Sequence, residues 1–293
     1  MKVTKTALLV LSALVMSHSV TGQVDSIKRE KRLKPLLITA GASYVLSMAA
    51  LNQLWYSGHE RESFHFFNDN AEWKQVDKIG HVYSAFQISS AGYYALQWAG
   101  LPKDKSLLYG SLSSLLCLTS IEVLDGFSSA YGASYGDMIA NLSGSLLFYG
   151  QQKIWQEIRV HPKFSFRSTH YPSYRPKVLG ENLMEQALKD YNGQVYWLSW
   201  DISKFSSTSK FPKWLNIAIG YGAQGMVYAR EAANLENGFS ANRQYFLSLD
   251  LDLNELRTGS TFVNFLLHAI NLIHIPAPTL EFSEGGFKFH YLY

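Results

Sequence analysis

Four long, mostly apolar stretches set the main constraint on how this chain can fold. The first, residues 36–56, is expected to begin a helix at Pro35 and has about twenty mostly apolar residues, enough to cross a bilayer. Three further helices are predicted over residues 77–99, 105–124 and 134–158, each apolar on most faces. Such helices are buried on many sides or lie in lipid, and the small residues of the first stretch would equally allow close helix packing.

The composition favours a membrane-associated protein. Hydrophobic residues make up 47% of the 293 residues and charged residues only 17%, against about 25% charged residues in ordinary soluble domains. Aromatic residues reach 14%, and tyrosine and tryptophan are common at membrane interfaces. The formal net charge of +3 gives no extended basic surface, so no nucleic-acid partner is expected.

The N-terminus has the pattern of a secretory signal peptide. Lys2 and Lys5 precede an apolar run over residues 7–16, and small and polar residues follow, with cleavage predicted after Gly22. The run is short for a spanning helix, which favours cleavage over an uncleaved anchor. Cys117 is the only cysteine, so neither a lipid anchor on the mature N-terminus nor an internal disulfide is expected. We therefore predict an exported protein whose signal peptide covers residues 1–22.

The second half of the chain has a different pattern. Alternate residues share a face in RQYFLSLDLDLNEL and in the C-terminal GFKFHYLY, which is typical of strands, and one apolar helix must end before Pro276. These features predict an α+β fold, with a membrane-associated helical domain over residues 23–160 and an antiparallel β-rich region over residues 161–293. Five or six candidate strands are too few for an outer-membrane barrel, which needs at least about eight. The sheet is expected to lie against the helical half or the membrane surface.

Three of the apolar helices each carry one pair of polar residues at helical spacing. Residues three or four apart lie on one face of a helix, and an isolated carboxylate in an apolar interior is costly. We therefore expect the three pairs to converge and to satisfy one another. The pairs are Asp77 and His81, Glu122 and Asp125, and Asp137 and Asn141.

Such a cluster has three possible roles. Carboxylates and an imidazole on facing helices can bind a metal through oxygen and nitrogen. The residues of this metal site would be Asp77, His81, Glu122 and Asp137. In an acid/base site, Glu122 or Asp137 would be the base, and Asp77, His81 and Asp125 would hold metal or substrate.

The third role, a structural network, is favoured, because buried polar networks more often fix helix register than catalyse. In it, His81 and Asn141 donate to the acids, and Gly126, Gly132 and Gly136 cap the turns. Helical geometry turns Lys78 away from Asp77, so Lys78 is expected in solvent or at an interface.

The order of these residues resembles that of a known family. DKIGH, followed by a helix and then by EVLDGFSSAYGASYGDMIANLSG, is similar to the YfiM-like predicted periplasmic lipoproteins and, more distantly, to the VanZ-like membrane proteins. The resemblance covers residues 70–155 and implies an envelope location without supplying an activity. Its matching positions are Asp77, Lys78, His81, Glu122, Asp125, Asp137, Asn141 and Gly144. The chain departs from the pattern in lacking the lipoprotein cysteine and in having the β-rich second half.

The remaining motifs add little. GYGAQG, residues 220–225, matches a dinucleotide fingerprint but lacks a surrounding βαβ unit, so no nucleotide partner is expected and no cofactor is assigned. We favour a non-enzymatic protein of the periplasm or outer membrane of a Gram-negative bacterium, with membrane lipid or an envelope protein as its partner. The alternative is a carboxylate/His-based, possibly metal-dependent, hydrolase or transferase acting on lipid or cell-wall precursors.

Overall fold

The computed structural model describes residues 26–205, 210–256 and 258–293. The predicted signal peptide lies outside these residues. The chain forms two compact units: the first contains residues up to Asn68 and Ser84–Gln156, and the second contains Asp69–Tyr83 and Glu157–Tyr293. The predicted α+β class is confirmed, because long helices in the first unit are followed by an antiparallel sheet in the second.

The described residues form four long helices. They are α1 (Ser26–Leu51), α2 (Val76–Trp98), α3 (Lys103–Gly126) and α4 (Tyr135–Ile154). A turn of π-helix, Asn52–Tyr56, continues α1, and α2 is shared between the units because its residues up to Tyr83 belong to the second. Pro35 was expected to begin the first helix, but it lies inside α1. The sequence IKREKRLK before it consists largely of good helix formers, which favour a helix on the N-terminal side of the proline.

Small residues let the helices of the first unit approach closely. A Cβ atom on Gly110 of α3 would lie 2.5 Å from the backbone nitrogen of Tyr93 of α2, so only glycine fits there. Ser89 donates a hydrogen bond to Ser114 at 2.8 Å, and both side chains are buried. The interior of this unit is therefore held by backbone proximity and hydroxyl groups as well as by apolar contacts.

The second unit contains a six-stranded antiparallel sheet in which consecutive strands pair. Its strands are β1 (Val160–Phe166), β2 (Gln194–Trp200), β3 (Leu215–Gln224), β4 (Asn242–Leu251), β5 (Thr279–Ser283) and β6 (Gly286–His290). The connections contain four shorter helices: α5 (Pro176–Leu179), α6 (Leu183–Lys189), α7 (Glu231–Glu236) and α8 (Thr261–Ile270). The apolar helix predicted before Pro276 is therefore present as α8.

Polar side chains of this sheet are buried and many apolar ones are exposed. On β4, Ser248 and Asp250 are buried, whereas Leu247 and Leu249 on the opposite face are more than 40% exposed. Tyr245 of β4 is exposed in the same way, and other strands have exposed apolar side chains at Leu198, Ile219, Phe282, Phe287 and Phe289. A half-solvated sheet normally buries its apolar face. The buried face does include an aromatic group, in which Trp197 packs on Phe246.

Candidate functional site

Glu122 joins the end of α3 to the start of α4. Its side chain is buried, and a carboxylate oxygen accepts the backbone N–H of Ser134 at 3.0 Å. Ser134 is the residue that caps α4, and its hydroxyl accepts the backbone N–H of Asp137 at 3.1 Å. A serine at this position satisfies one of the N–H groups that the first turn of a helix leaves without a partner. The Glu122 carboxylate thus stabilises the connection between the two helices.

Asp137 lies beside Glu122 in the first unit. One carboxylate oxygen of each residue lies within 4.8 Å of the other, and both residues are buried. Asp137 is in the first turn of α4, where the helix dipole favours a negative charge. Two buried carboxylates this close would attract a cation or share a proton.

Asp125 and Asn141 have different surroundings. Asp125, half-buried, accepts a hydrogen bond from the hydroxyl of Tyr56 at 2.7 Å, and the Tyr56 ring packs edge-on against Tyr131. Asn141 and Gly144 are buried on α4, together with Ser145, whose hydroxyl donates to the carbonyl of Ser111 at 3.0 Å. No sequence pattern indicated Tyr56, which lies in the apolar stretch that follows Pro35.

The glycines between α3 and α4 leave space for the loop that contains His65 and Phe67. His65 donates its backbone N–H to the carbonyl of Gly126 at 2.9 Å and accepts that of Ala133 at 3.0 Å. A Cβ on Gly132, whose φ is +148°, would lie 2.5 Å from Cβ of Phe67. Glycine is therefore required at residue 132 by both backbone conformation and space.

Asp77 and His81 belong to the second unit, at the start of α2. The ammonium of Lys78 lies 3.0 Å from Asp77 Oδ2 and 2.6 Å from Asp69 Oδ2, and its side chain is only 12% exposed. The prediction that Lys78 faces away from Asp77 was therefore wrong, and its side chain is not in solvent. The acidic partner Asp69 comes from the preceding loop, which helical spacing could not reveal.

A left-handed turn anchors the start of α2 within the second unit. Trp73, Lys74 and Gln75 have φ values of 48°, 49° and 65°, an unusual run for residues other than glycine. Trp73 donates its backbone N–H to the carbonyl of Ala229 at 2.8 Å, and the side chain of Arg243 donates to the Gln75 side chain at 2.7 Å. These contacts hold the turn in place and so determine where α2 begins.

The structure therefore brings Glu122 and Asp137 together in the first unit and places Asp77 and His81 in the second. Convergence of all three pairs at one point stays a prediction, as does the metal site formed by Asp77, His81, Glu122 and Asp137. Asp125 is held by Tyr56 in the first unit.

Sequence reasoning missed a set of buried charges in the sheet. Lys163 of β1 and Asp250 of β4 form an ion pair at 2.7 Å, and both side chains have no exposed surface. Ser199 of β2 donates to the same carboxylate at 2.6 Å. The alternation of LSLDLDL placed Asp250 and Asp252 on one face of a strand. Two aspartates on one face of a strand could have indicated a buried ion pair, because a buried aspartate nearly always has a partner.

Comparison with known proteins identifies one family. Residues 65–150 match the model of a family described as "Predicted periplasmic lipoprotein (DUF2279)". No curated protein and no solved structure matches the chain significantly. The matched segment includes all six residues of the polar pairs, and it supports an exported protein in the periplasm or elsewhere in the cell envelope. Over these residues, the chain is similar to a periplasmic lipoprotein family of unknown function.

Proposed function

We propose that this protein is a non-enzymatic component of the cell envelope that associates with membrane lipid through apolar surfaces. We also propose that the chain is related to the YfiM-like lipoproteins and that it is located at the outer membrane. In the helical unit, the polar residues stabilise the fold and the apolar residues face the lipid. The observation that carries the proposal is the exposure pattern of α3 and α4.

On α3 and α4, large apolar side chains point outward and small polar ones point inward. Leu116 and Ile139 are each 66% exposed, whereas Ser114 and Asn141 are buried. Leu108, Leu112, Leu142 and Leu146 are also exposed. A helix in a water-soluble protein normally turns its apolar side chains inward, so this pattern favours an apolar environment. Arg29–Tyr56 and Lys103–Gly126 are each long and apolar enough to cross a membrane, judged by length and composition.

The contacts of the acids favour a structural role. Glu122 accepts a backbone N–H, and Asp125 accepts a tyrosine hydroxyl. Buried charged groups held in this way are needed for the fold, because removing either partner leaves the other without its hydrogen bond in an apolar interior.

The closeness of Glu122 and Asp137 favours a second candidate, a carboxylate-based hydrolase or transferase acting on lipid or cell-wall precursors. The variant Asp137→Asn separates the two candidates, because it keeps the side chain's size and removes its charge. The variant gene is expressed in a deletion strain. If the variant protein accumulates normally but does not restore the wild-type phenotype, the enzymatic candidate is supported. If it restores the phenotype fully, the structural role is supported.

Fractionation of cells tests the proposal directly. The protein expressed from the full-length gene should be recovered in the envelope membrane fraction. It should begin at Gln23 by mass spectrometry and require detergent for extraction after washing with alkaline carbonate. Release of the whole protein by osmotic shock into buffer without detergent would contradict the proposed association with lipid.

A further inference from the structure

Ionisable side chains meet at one end of the sheet in the second unit. His161 is at the start of β1, Asp201 directly follows β2, and Asp252 directly follows β4. Val160 pairs with Trp200, and the backbone N–H of Asp252 donates to the carbonyl of Trp214 at 2.9 Å. Because neighbouring strands are antiparallel, the start of β1 and the ends of β2 and β4 lie at the same end of the sheet.

The three side chains lie close enough to share one ion. A ring nitrogen of His161 and one carboxylate oxygen each of Asp201 and Asp252 all lie within 4.8 Å of one another. The two aspartates have no exposed surface, and the imidazole is 13% exposed. The group is thus a mixed imidazole and carboxylate set inside the protein.

Three atoms of this group are buried without a hydrogen-bond partner among the described residues, and one of them, Asp201 Oδ2, lies 2.7 Å from the ammonium of Lys204. Nε2 of His161 and Oδ2 of Asp252 are buried without a hydrogen-bond partner, at 3.5 Å from each other. The other oxygen of Asp252 accepts the backbone N–H of Asn254 at 3.0 Å and the side-chain amide of Asn271 at 3.1 Å. These two bonds orient the carboxylate, so that Oδ2 is directed at the imidazole. Buried polar atoms without a hydrogen bond are uncommon and call for an explanation.

One ammonium group balances three carboxylates at this position. Lys204 lies 2.7 Å from Asp201 Oδ2, 3.3 Å from Glu255 Oε1 and 3.7 Å from Asp252 Oδ2. The charge of Lys163 also reaches Asp252, but Lys163 is itself paired with Asp250, so the cluster keeps an excess of negative charge. The Lys204 side chain is 20% exposed, so it can turn towards solvent.

We propose that this cluster is a zinc site, with His161, Asp201 and Asp252 as ligands and Lys204 as the cation that zinc displaces. One imidazole nitrogen and carboxylate oxygens form a ligand set that Zn²⁺ accepts in four-coordinate geometry. Asn271 would act on the ligand Asp252 by holding its orientation.

Zinc titration of the purified protein tests this proposal. Full-length, tag-free protein in detergent is treated with chelator and titrated with Zn²⁺ by calorimetry, and unfolding temperature is measured with and without the metal. We expect one Zn²⁺ per chain and a higher unfolding temperature when it is bound. The variants Asp252→Asn and His161→Ala should each lose at least about tenfold in affinity, whereas Lys204→Met should bind zinc more tightly because the competing ammonium is gone.

Asp104→Asn is the matched control, because it makes the same chemical change as Asp252→Asn at a side chain that is 86% exposed. Its zinc affinity should equal that of the wild type. Asp252→Asn keeps nearly the same side-chain shape, so it can still be tested if His161→Ala does not fold. Its circular dichroism spectrum checks that it is folded. Absence of stoichiometric binding in both wild type and Lys204→Met would overturn the proposal, as would unchanged affinity in folded Asp252→Asn.

Discussion

The carboxylate of Glu122, one turn before the end of α3, accepts the backbone N–H of Ser134, the residue that caps α4, at 3.0 Å. A hydrogen bond to an ionised acceptor is stronger than one between neutral groups. The contact also closes the loop between the helices, where Ser134 in turn holds the N–H of Asp137. An acid in this apolar stretch is therefore part of the connection between two helices.

Replacing Glu122 by alanine should destabilise the protein. The backbone N–H of Ser134 would lose its acceptor in a buried position, which costs about 1–3 kcal/mol. Thermal unfolding in detergent measures the loss. Asp104→Ala, which removes an exposed carboxylate from the same helix, should change stability by no more than about 0.5 kcal/mol. Equal unfolding temperatures for the two variants would contradict the structural role of Glu122.

Replacement by alanine should have opposite effects at Gly110, where α2 and α3 approach closely, and at Gly150 of α4. In Gly110→Ala, the new methyl group would meet the backbone of Tyr93 at 2.5 Å, and the helices would have to separate at a cost of about 1–3 kcal/mol. In Gly150→Ala, nothing lies within 4 Å of the new methyl group, and the helix should gain about 0.5–1 kcal/mol. Chemical unfolding of both variants measures the difference. A Gly110→Ala variant as stable as wild type would show that the helices do not pack this closely.

Local sequence patterns were enough to predict α2, α3 and α4. The apolar stretches, Pro102 and the segment GASYG predicted helices at residues 77–99, 105–124 and 134–158, and the structure has them at 76–98, 103–126 and 135–154. The alternation of residues likewise identified β4. Both signals arise within one element, so a single sequence reveals them.

The contacts of the candidate sites needed information that local patterns lack. Lys78 pairs with Asp69 because an unusual turn at residues 73–75 orients the start of α2, and that turn is held by residues of the sheet. The grouping of His161 with Asp201 and Asp252 depends on which strands pair and in which register. Neither follows from helical or strand periodicity.

The buried histidine His274 should make stability depend on pH. Its ring stacks on Trp197 at a centroid distance of 3.9 Å and is almost fully buried. Burial lowers the pKa of His274 to about 4, and the nearby charge of Lys163 acts in the same direction, against the opposing charge of Asp250. The unfolded chain, with a histidine pKa of about 6.5, binds more protons between pH 6.5 and pH 4. The folded state therefore loses stability as the pH falls through that range.

His274→Phe should remove this contribution and keep the stacking on Trp197. Lowering the pH from 7 to 4 should reduce the unfolding free energy of the wild type by up to roughly 3 kcal/mol more than that of the variant. Urea unfolding in detergent at several pH values measures it. Replacing exposed His170 by phenylalanine is the control and should leave the pH dependence as in wild type. Parallel curves for His274→Phe and wild type would mean that His274 does not titrate in this range.

A lysine at Leu116 should impair association with membranes. Leu116 lies midway along α3 and is 66% exposed, so in water Leu116→Lys would be harmless. In lipid, a lysine at the centre of a helix costs about 2.5–3.5 kcal/mol, which should lower the fraction of protein that floats with liposomes. Asn237→Lys adds the same charge at an exposed position after α7 and should float like wild type. If Leu116→Lys also floats like wild type, the exposed face of α3 does not contact lipid, and an apolar protein partner would have to cover it instead.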